Sequence, residues 1–157
     1  MRQGNISEQP LHQFASVVLI DPPPLTTDSW QHLTNYVDRG GSVGVFLGPN
    51  STAENLSQTA GVAELLGGKI LRLWRSDERN FLDQQAAEHR ILQDFTQLQD
   101  SVPWAQFPVV RYWQIAELSE TARPIMRFSR EISHPAIIEN SFGQGTVITM
   151  LTPVSEP

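Results

Sequence analysis

The chain has 157 residues, the length of one ordinary domain, of which 39% are hydrophobic and 18% charged, a composition that excludes a disordered chain. Its net charge of −6, from 11 basic and 17 acidic residues, argues against a nucleic-acid partner, because a phosphate backbone requires a basic face. The absence of cysteine excludes disulfides, thiolate metal ligands and a thiol nucleophile.

The two ends of the chain suggest how it is organised. Residues 1–13, MRQGNISEQPLHQ, lack the hydrophobic core of a signal peptide, and we predict a polar tail or an artificial junction there. Residues 14–157 are predicted to form a single domain excised from a longer chain, since LTPVSEP directly follows an apolar strand-like run. No apolar run reaches the ~18 to 20 residues that span a bilayer, so we expect no direct membrane insertion by this segment.

The first half of the sequence predicts a strand, a helix and a second strand. Phe14–Asp21 is an apolar run that ends in a carboxylate, which is typical of a buried parallel strand. A helix with apolar residues at spacings of 3 and 4 follows, capped by Thr27 or Asp28 and closed by Gly40–Gly41. Ser42–Gly48 is the next buried strand, which completes a βαβ unit.

Short elements are predicted to follow this unit. Ser51 and Glu54 have the spacing of a capping box, and Gly61–Gly68 indicates a second short helix ended by its glycine pair. Lys69–Arg75 is predicted to be a strand. The apolar spacing within Asp77–Leu98 indicates a partly helical segment.

The second half has a different pattern. Residues 107–115 and 122–130 resemble short strands, and Pro135–Leu151 predicts a hairpin whose loop of several residues lies within Asn140–Gly145. The first half is therefore predicted to be βαβ and the second mostly antiparallel β.

The predicted strand ends hold the best candidate site. Asp21 ends the first strand, and Gly48, Pro49, Asn50 and Ser51 follow the second. Open parallel sheets bind ligands beyond the carboxyl ends of their strands, so we predict a ligand crevice at these five residues. No phosphate-loop or dinucleotide pattern is present. Ser51 is better explained as a helix cap, Asp21 as a cap of the DPPP turn, and Asn50 would bind a ligand or stabilise its own turn.

A hydrolase motif is present in letters only. Gly40–Gly44 satisfies G-x-S-x-G, but Ser42 comes after a helix and opens a strand. A nucleophile elbow has the opposite order, strand and then helix, so we interpret Ser42 as structural.

Histidines and carboxylates offer a weaker alternative. The four histidines have no pair at i, i+3 or i+4: His12, His32, His89 and His134. Glu88 and His89, near Asp83, form the one acidic–histidine cluster. We therefore predict no metal site and no cofactor, and keep as the alternative a hydrolase that uses carboxylate, histidine or metal chemistry near Asp21, Glu88 and His89.

Tryptophans are the remaining candidates for a partner surface: Trp30, Trp74, Trp104 and Trp113. Core packing is the expected role, and exposure of Trp104 or Trp113 would instead mark an interaction site.

Two blocks of the sequence resemble a known fold family. VVLIDPPPLTTDSWQHLTNYVDRGGSVGVFLG, with L-x-x-Y-V-x-x-G-G at Leu33–Gly41, resembles the middle βαβ unit of class I glutamine amidotransferase-like domains. It is most similar to the divergent branch with trehalose-utilisation-type proteins and domains of von Willebrand factor A and aerotolerance-type bacterial membrane proteins. HPAIIENSFGQGTVITML resembles the strand, turn and strand that end such domains.

The resemblance implies a fold and a loss of activity. It implies an α/β three-layer sandwich with a mainly parallel, flavodoxin-like sheet, truncated at its start because little precedes Phe14. Catalytic members use a cysteine after a central strand, where this chain has Gly48, Pro49 and Asn50. We therefore expect a non-catalytic protein-interaction or ligand-sensing module of a larger bacterial protein. Its partners would be other domains of its parent chain or another protein, and any membrane tether would belong to that parent.

Overall fold

The structure, a computed structural model, describes residues 3–84, 89–93, 106–129 and 134–153, and of residues 3–5, 76–78 and 84 only the backbone. Three α-helices lie in these ranges: α1 (Thr27–Asp38), α2 (Ala53–Gln58) and α3 (Val62–Leu66). The strands in these ranges are β1 (Ser16–Ile20), β2 (Ser42–Phe46), β3 (Gly68–Asn80), β4 (Leu82–Gln84), β5 (Val109–Leu118), β6 (Ala122–Phe128), β7 (Pro135–Phe142) and β8 (Gly145–Met150).

The strands form a mixed sheet and a second, antiparallel one. The mixed sheet has the order β1-β2-β8-β7-β6-β4, and β1, β2 and β8 run parallel at one edge. The pairs β8–β7, β7–β6 and β6–β4 are antiparallel, and β3 pairs antiparallel with β5 in the second sheet. The predicted α/β class is therefore confirmed, as is the change from parallel to antiparallel pairing along the chain. The prediction of a mainly parallel sheet is wrong, because three of the five strand pairs in the mixed sheet are antiparallel.

The described helices lie on one face of the mixed sheet. Val43 and Val45 of β2 are buried in one core with the apolar side of α1, and Thr149 of β8 donates its hydroxyl to the carbonyl of Leu66 in α3.

On the opposite face Val18 and Ile20 are each 55% exposed, so the prediction of a buried first strand is wrong, because β1 is the edge strand of the sheet. Farther along this face, Ile137 and Ile148 pack against a second core cluster that contains Leu92. The described helices supply one layer on the sheet, and the three-layer, flavodoxin-like arrangement stays a prediction.

The first residues of the chain pack against α1. Two 3-10 helices, Gln3–Glu8 and Leu11–Gln13, occupy the segment that was predicted as a polar tail. Leu11 is buried in the core, and the His32 ring nitrogen Nε2 lies 2.8 Å from the carbonyl oxygen of Gln9. The Tyr36 hydroxyl donates to the carbonyl of Phe14 at 2.9 Å. These contacts fix the start of β1 on the helix.

Two local predictions in the first half of the chain were wrong. Thr26, rather than Thr27 or Asp28, caps α1, because its hydroxyl accepts from the backbone N–H of Ser29 at 3.2 Å. Residues 77–84 are extended rather than helical, because pairing of β3 with β5 and of β4 with β6 overrides their apolar spacing. The rest of the predicted partly helical segment lies outside the described residues, apart from 89–93.

The loop of the predicted β7–β8 hairpin is shorter than expected. Phe142 pairs with Gly145, so only two residues, Gly143 and Gln144, form the turn. Gly143 has a φ of +56°, and a Cβ there would lie 2.2 Å from a carboxylate oxygen of Asp38 at the end of α1. Only glycine suits this position, because the turn lies against the helix end.

Candidate functional site

Asp21 turns the chain directly after β1. Its φ of +46° makes it the only non-glycine residue with a positive φ in the part of the chain that the structure describes. Aspartate adopts this left-handed conformation more readily than most residues. Its N–H donates to the carbonyl of Phe46 at 2.8 Å, which extends the β1–β2 pairing by one bond. The carboxylate is thereby directed toward the loop that follows β2.

Asn50 binds both oxygens of this carboxylate. Its backbone N–H donates to Asp21 Oδ1 at 2.8 Å, and its side-chain Nδ2 donates to Oδ2 at 2.7 Å. The pair therefore links the loops that follow two adjacent parallel strands. The prediction that Asp21 caps its own DPPP turn is wrong, because its carboxylate caps the neighbouring loop, which follows β2.

Ser51 is buried and bonded within the same cluster. Its hydroxyl donates to the carbonyl of Pro22 at 3.1 Å and accepts from the N–H of Gly48 at 3.5 Å. The predicted capping by Ser51 is wrong, because the cap of α2 is the next residue, Thr52, whose hydroxyl accepts from the N–H of Asn55 at 3.3 Å. The hydroxyl proton of Ser51 is thus donated to a carbonyl, and no hydrogen bond joins Ser51 to a histidine or carboxylate side chain in the part of the chain that the structure describes.

Gly48 is the close-packed centre of this strand-end cluster, which consists of Asp21, Gly48, Asn50 and Ser51. A Cβ on Gly48 would lie 2.3 Å from Asp21 Oδ1, so the carboxylate rests directly on the glycine backbone. The Gly48 carbonyl accepts from the indole N–H of Trp113 in β5 at 3.2 Å. Pro49 is exposed at the outer edge of the turn.

Trp113 is a contributor that the sequence did not identify. It is buried, and 65 positions separate it from the carbonyl that it binds, so no local pattern could reveal the contact. Trp30 is also buried, whereas Trp74 is partly exposed. Trp104 lies outside the described residues.

His89 lies away from the strand-end cluster. Its Nε2 is 3.1 Å from Oε2 of Glu139, in the middle of β7. β2 and β8 lie between β7 and β1, so at ~4.8 Å per strand the axes of β1 and β7 are about 14 Å apart. Glu88 lies outside the described residues, and Asp83 is on β4 at the far edge of the sheet. The structure thus brings Asp21 and Ser51 together but leaves His89 elsewhere.

The hydrogen bonds of the strand-end cluster connect the loops that follow β1 and β2. A hydrolytic site needs at least two groups that converge on one reacting atom, such as a nucleophile and its base. Here each Asp21 oxygen accepts a bond from Asn50 and the Ser51 hydroxyl is bonded to backbone. Within the described residues, no three histidine or carboxylate side chains are grouped closely enough to hold a metal ion. No helix in those ranges is long and apolar enough to cross a membrane.

Comparison with known proteins relates the chain to solved structures alone. No protein-family model matches it, and no curated protein matches it significantly in sequence. The cytoplasmic protein STM1381 from Salmonella typhimurium LT2 superposes with a TM-score of 0.76 at 16% identity, over 100% of this chain and 70% of that one. A putative ThuA-like protein from Bacteroides uniformis gives a TM-score of 0.64 at 14% identity, over 94% and 65% of the two chains.

A larger enzyme contains the same fold as one part of its chain. A β-galactosidase from the haloarchaeon Halorubrum lacusprofundi superposes with a TM-score of 0.60 at 21% identity, over 96% of this chain but only 21% of the enzyme. The chain therefore has the fold of STM1381 and of the ThuA-like protein, which is the fold expected for trehalose-utilisation-type proteins.

Proposed function

We propose that the chain is a non-catalytic domain of the glutamine amidotransferase-like fold, and that it acts as a protein-interaction or ligand-sensing module of a larger bacterial protein. The observation that carries this proposal is the strand-end cluster, in which the groups best placed for chemistry bind each other. Hydrogen bonds from the polar atoms of Asp21, Asn50 and Ser51 link the two loops that follow β1 and β2.

The missing nucleophile supports the same conclusion. The glutaminase reaction of catalytic members would require a cysteine, and the chain has none. A serine could replace it only if a base took up its proton, and the Ser51 hydroxyl donates instead to the carbonyl of Pro22. The missing cysteine and the bonded serine both support a strand end without acyl-transfer chemistry.

Membership of a larger protein is supported by the structural neighbours. The chain matches 70% of STM1381 and about a fifth of the β-galactosidase, so the same fold also occurs as part of longer chains. We propose that its partners are other domains of a parent chain or another protein. The flavodoxin-like third layer and the amidotransferase-like relationship belong to this proposal, supported by the superposition on the ThuA-like protein.

An activity screen tests the non-catalytic assignment. The chain is assayed for ammonia release from glutamine, and for hydrolysis of p-nitrophenyl acetate and p-nitrophenyl phosphate with and without Zn²⁺ or Mn²⁺. We expect no turnover that differs between the wild type and the variants Ser51→Ala and Asp21→Asn. Turnover that is lost in either variant while its thermal unfolding remains cooperative would establish the alternative, a hydrolase.

A further inference from the structure

A cleft of about 490 Å³ opens at the edge of the mixed sheet where β1 and β2 begin, between the segment before β1 and the last turns of α1. Small-molecule sites occupy roughly 300 to 1,000 Å³, so this volume suits a small ligand. Two aromatic and four polar side chains line the cleft: Phe14, Tyr36, His12, His32, Asn35 and Arg39. This space, here called the α1 cleft, lies at the opposite edge of the sheet from the strand-end cluster, because β1 and β2 are parallel.

Aromatic rings supply apolar walls of the α1 cleft. Phe14 is 45% exposed although its side chain is large and apolar. The ring of Tyr36 lies directly against the backbone of Gly41, where an added Cβ would collide with the ring carbons Cε1 and Cζ. The Tyr36 hydroxyl is bonded to the Phe14 carbonyl, which fixes the ring at its other end. The two rings therefore offer a surface on which a flat apolar group can pack.

Positive charge in the α1 cleft has no carboxylate opposite it. None of the described residues that line the cleft is acidic. Arg39 and His12 are exposed, and neither side chain forms an ion pair or a hydrogen bond with any residue that the structure describes. An unpaired guanidinium beside aromatic surface favours a carboxylate that carries an apolar group.

Two further polar side chains of the cleft are positioned by bonds within the protein. The Nε2 of His32 donates to the carbonyl of Gln9 at 2.8 Å, which fixes the ring as one wall. The Oδ1 of Asn35 accepts from Nε2 of Gln31 at 3.2 Å, and its Nδ2 makes no hydrogen bond to a described residue. The Asn35 amide thus keeps a donor for a ligand.

The end of α1 does little to repel an anion from the cleft. Unbonded carbonyls in the last turn of a helix carry partial negative charge. The Tyr36 carbonyl, however, accepts from the N–H of Gly41 at 3.0 Å. The Val37 carbonyl accepts from the N–H of Gly40 at 2.8 Å, and the Asp38 carbonyl accepts from the β7–β8 turn at 3.1 Å. These bonds reduce the negative potential of the helix end.

We propose that the α1 cleft binds a small aromatic carboxylate. The carboxylate binds Arg39, with His12 and the Asn35 amide as further donors, and the aromatic group packs on Phe14 and Tyr36. This inference rests on the proposed ligand-sensing function and names its site and ligand class. An inorganic anion suits the cleft less well, because it brings no apolar group to the two rings.

Two-dimensional NMR of the isotopically labelled chain tests the proposal with four probes. Indoleacetate and phenylacetate have the proposed chemistry, phenylacetamide is the neutral counterpart of phenylacetate, and acetate lacks the ring. Ligands of this size reach a Kd of roughly 1 mM at ordinary efficiency per atom. We expect saturable shifts of the backbone amides of residues 12–15 and 35–41 with both aromatic carboxylates. Phenylacetamide should bind several-fold more weakly, and acetate not measurably.

Variants at the two ends of the proposed contact show whether the α1 cleft holds the probe. R39Q removes the cation and should weaken indoleacetate binding at least roughly fivefold. F14S removes one aromatic wall and should weaken it at least roughly threefold. The matched control R123Q removes an exposed cation on β6 and should bind like the wild type. Arg39 and Phe14 are both exposed, so the spectra of their variants should retain the dispersion of a folded chain.

Several results would overturn the proposal: no saturable shift with either aromatic carboxylate, shifts centred outside the cleft, equal affinity for phenylacetamide or acetate, unchanged binding in R39Q or F14S, or equal loss in R123Q. Failure here would leave the non-catalytic assignment standing, because that assignment depends on the activity screen. Turnover in the screen would refute the proposed function whether or not the cleft binds a carboxylate.

Discussion

The helix-covered face of the mixed sheet and the β3–β5 strand pair, here called the ribbon, differ in how far their buried polar side chains are hydrogen-bonded. On the helix-covered face, Asn140 of β7 is fully buried, and its side chain makes four hydrogen bonds, to the carbonyls of Glu64 and Leu65 and to the hydroxyls of Ser119 and Thr121. On the ribbon, Asn80 of β3 is equally buried, yet neither Nδ2 nor Oδ1 has a hydrogen-bond partner among the residues that the structure describes.

The charged groups repeat this contrast. The Asp21 carboxylate after β1 has both oxygens bonded by Asn50, whereas Arg75 and Arg111 face each other on the ribbon. The position of a polar side chain in the fold therefore does not indicate whether its hydrogen bonds are already made within the protein. The polar groups at the strand end, where α/β proteins usually bind ligands, are hydrogen-bonded to one another and to backbone, whereas the buried side chain without a partner in the described residues, Asn80, lies on the β3–β5 pair.

The largest expected effect is on the buried asparagine of the helix-covered face. Asn140→Leu removes the side-chain donor of the Glu64 and Leu65 carbonyls and the acceptor of the Ser119 and Thr121 hydroxyls, and should lower the free energy of unfolding by about 3 kcal/mol. The matched change Asn80→Leu removes two polar atoms that have no hydrogen-bond partner within the described ranges, so stability should change by less than about 0.5 kcal/mol or rise. Urea unfolding of both variants measures the difference, and equal losses would contradict the contrast.

Gly48→Ala should have the next largest effect on the free energy of unfolding. Its Cβ would lie within 2.4 Å of two atoms of the Asp21 carboxylate, so the clamp to Asn50 must shift. We expect a loss of about 2 kcal/mol, typical of overpacking at a close-packed site. Gly61→Ala is a control with open space around the new atom and a φ of +79°, which isolates the cost of conformation. Thermal unfolding that ranks Gly61→Ala as the more harmful would show that the clamp is loose.

Asp21→Asn should destabilise the protein less than Asp21→Ala. Asp21→Ala removes both acceptors of Asn50 and places alanine at a φ of +46°, which should cost about 1–2 kcal/mol. Asp21→Asn keeps one carbonyl acceptor and the tolerance for positive φ, so it should cost roughly half as much. The two variants are compared by urea unfolding, and an equal loss in both would mean that neither the retained acceptor nor the tolerance of a positive φ contributes to stability.

The smallest expected effect is a gain on the ribbon. Arg75→Gln removes the repulsion with Arg111 and should raise the free energy of unfolding by about 0.3 kcal/mol at low salt. Arg123→Gln is the opposite case, because Arg123 pairs across β6–β7 with Glu139 and its loss should be neutral or slightly destabilising. Urea unfolding at low and high salt checks both, since screening should remove the gain.

The sequence by itself determined the local elements. The apolar runs around β1 and β2 predict two strands, and the glycine that ends α3, Gly67, adopts the left-handed conformation expected of a helix cap. The predicted burial holds for β2 but not for β1, of which only Leu19 is buried. The βαβ unit and the antiparallel second half follow from these patterns, because alternation and glycine placement depend on residues close together in the chain. The order of elements around the G-x-S-x-G motif also follows from the sequence, since Ser42 opens β2 rather than following a strand as a nucleophile elbow requires.

Only the tertiary structure decided what the candidate residues do. Asp21 and Asn50 are 29 positions apart, and Trp113 is 65 positions from the Gly48 carbonyl. Such contacts exist because parallel strands bring distant loops to one edge of the sheet, and no periodicity records which loop meets which. The sequence could therefore name the residues at the strand end, but only their packing showed that they bind one another.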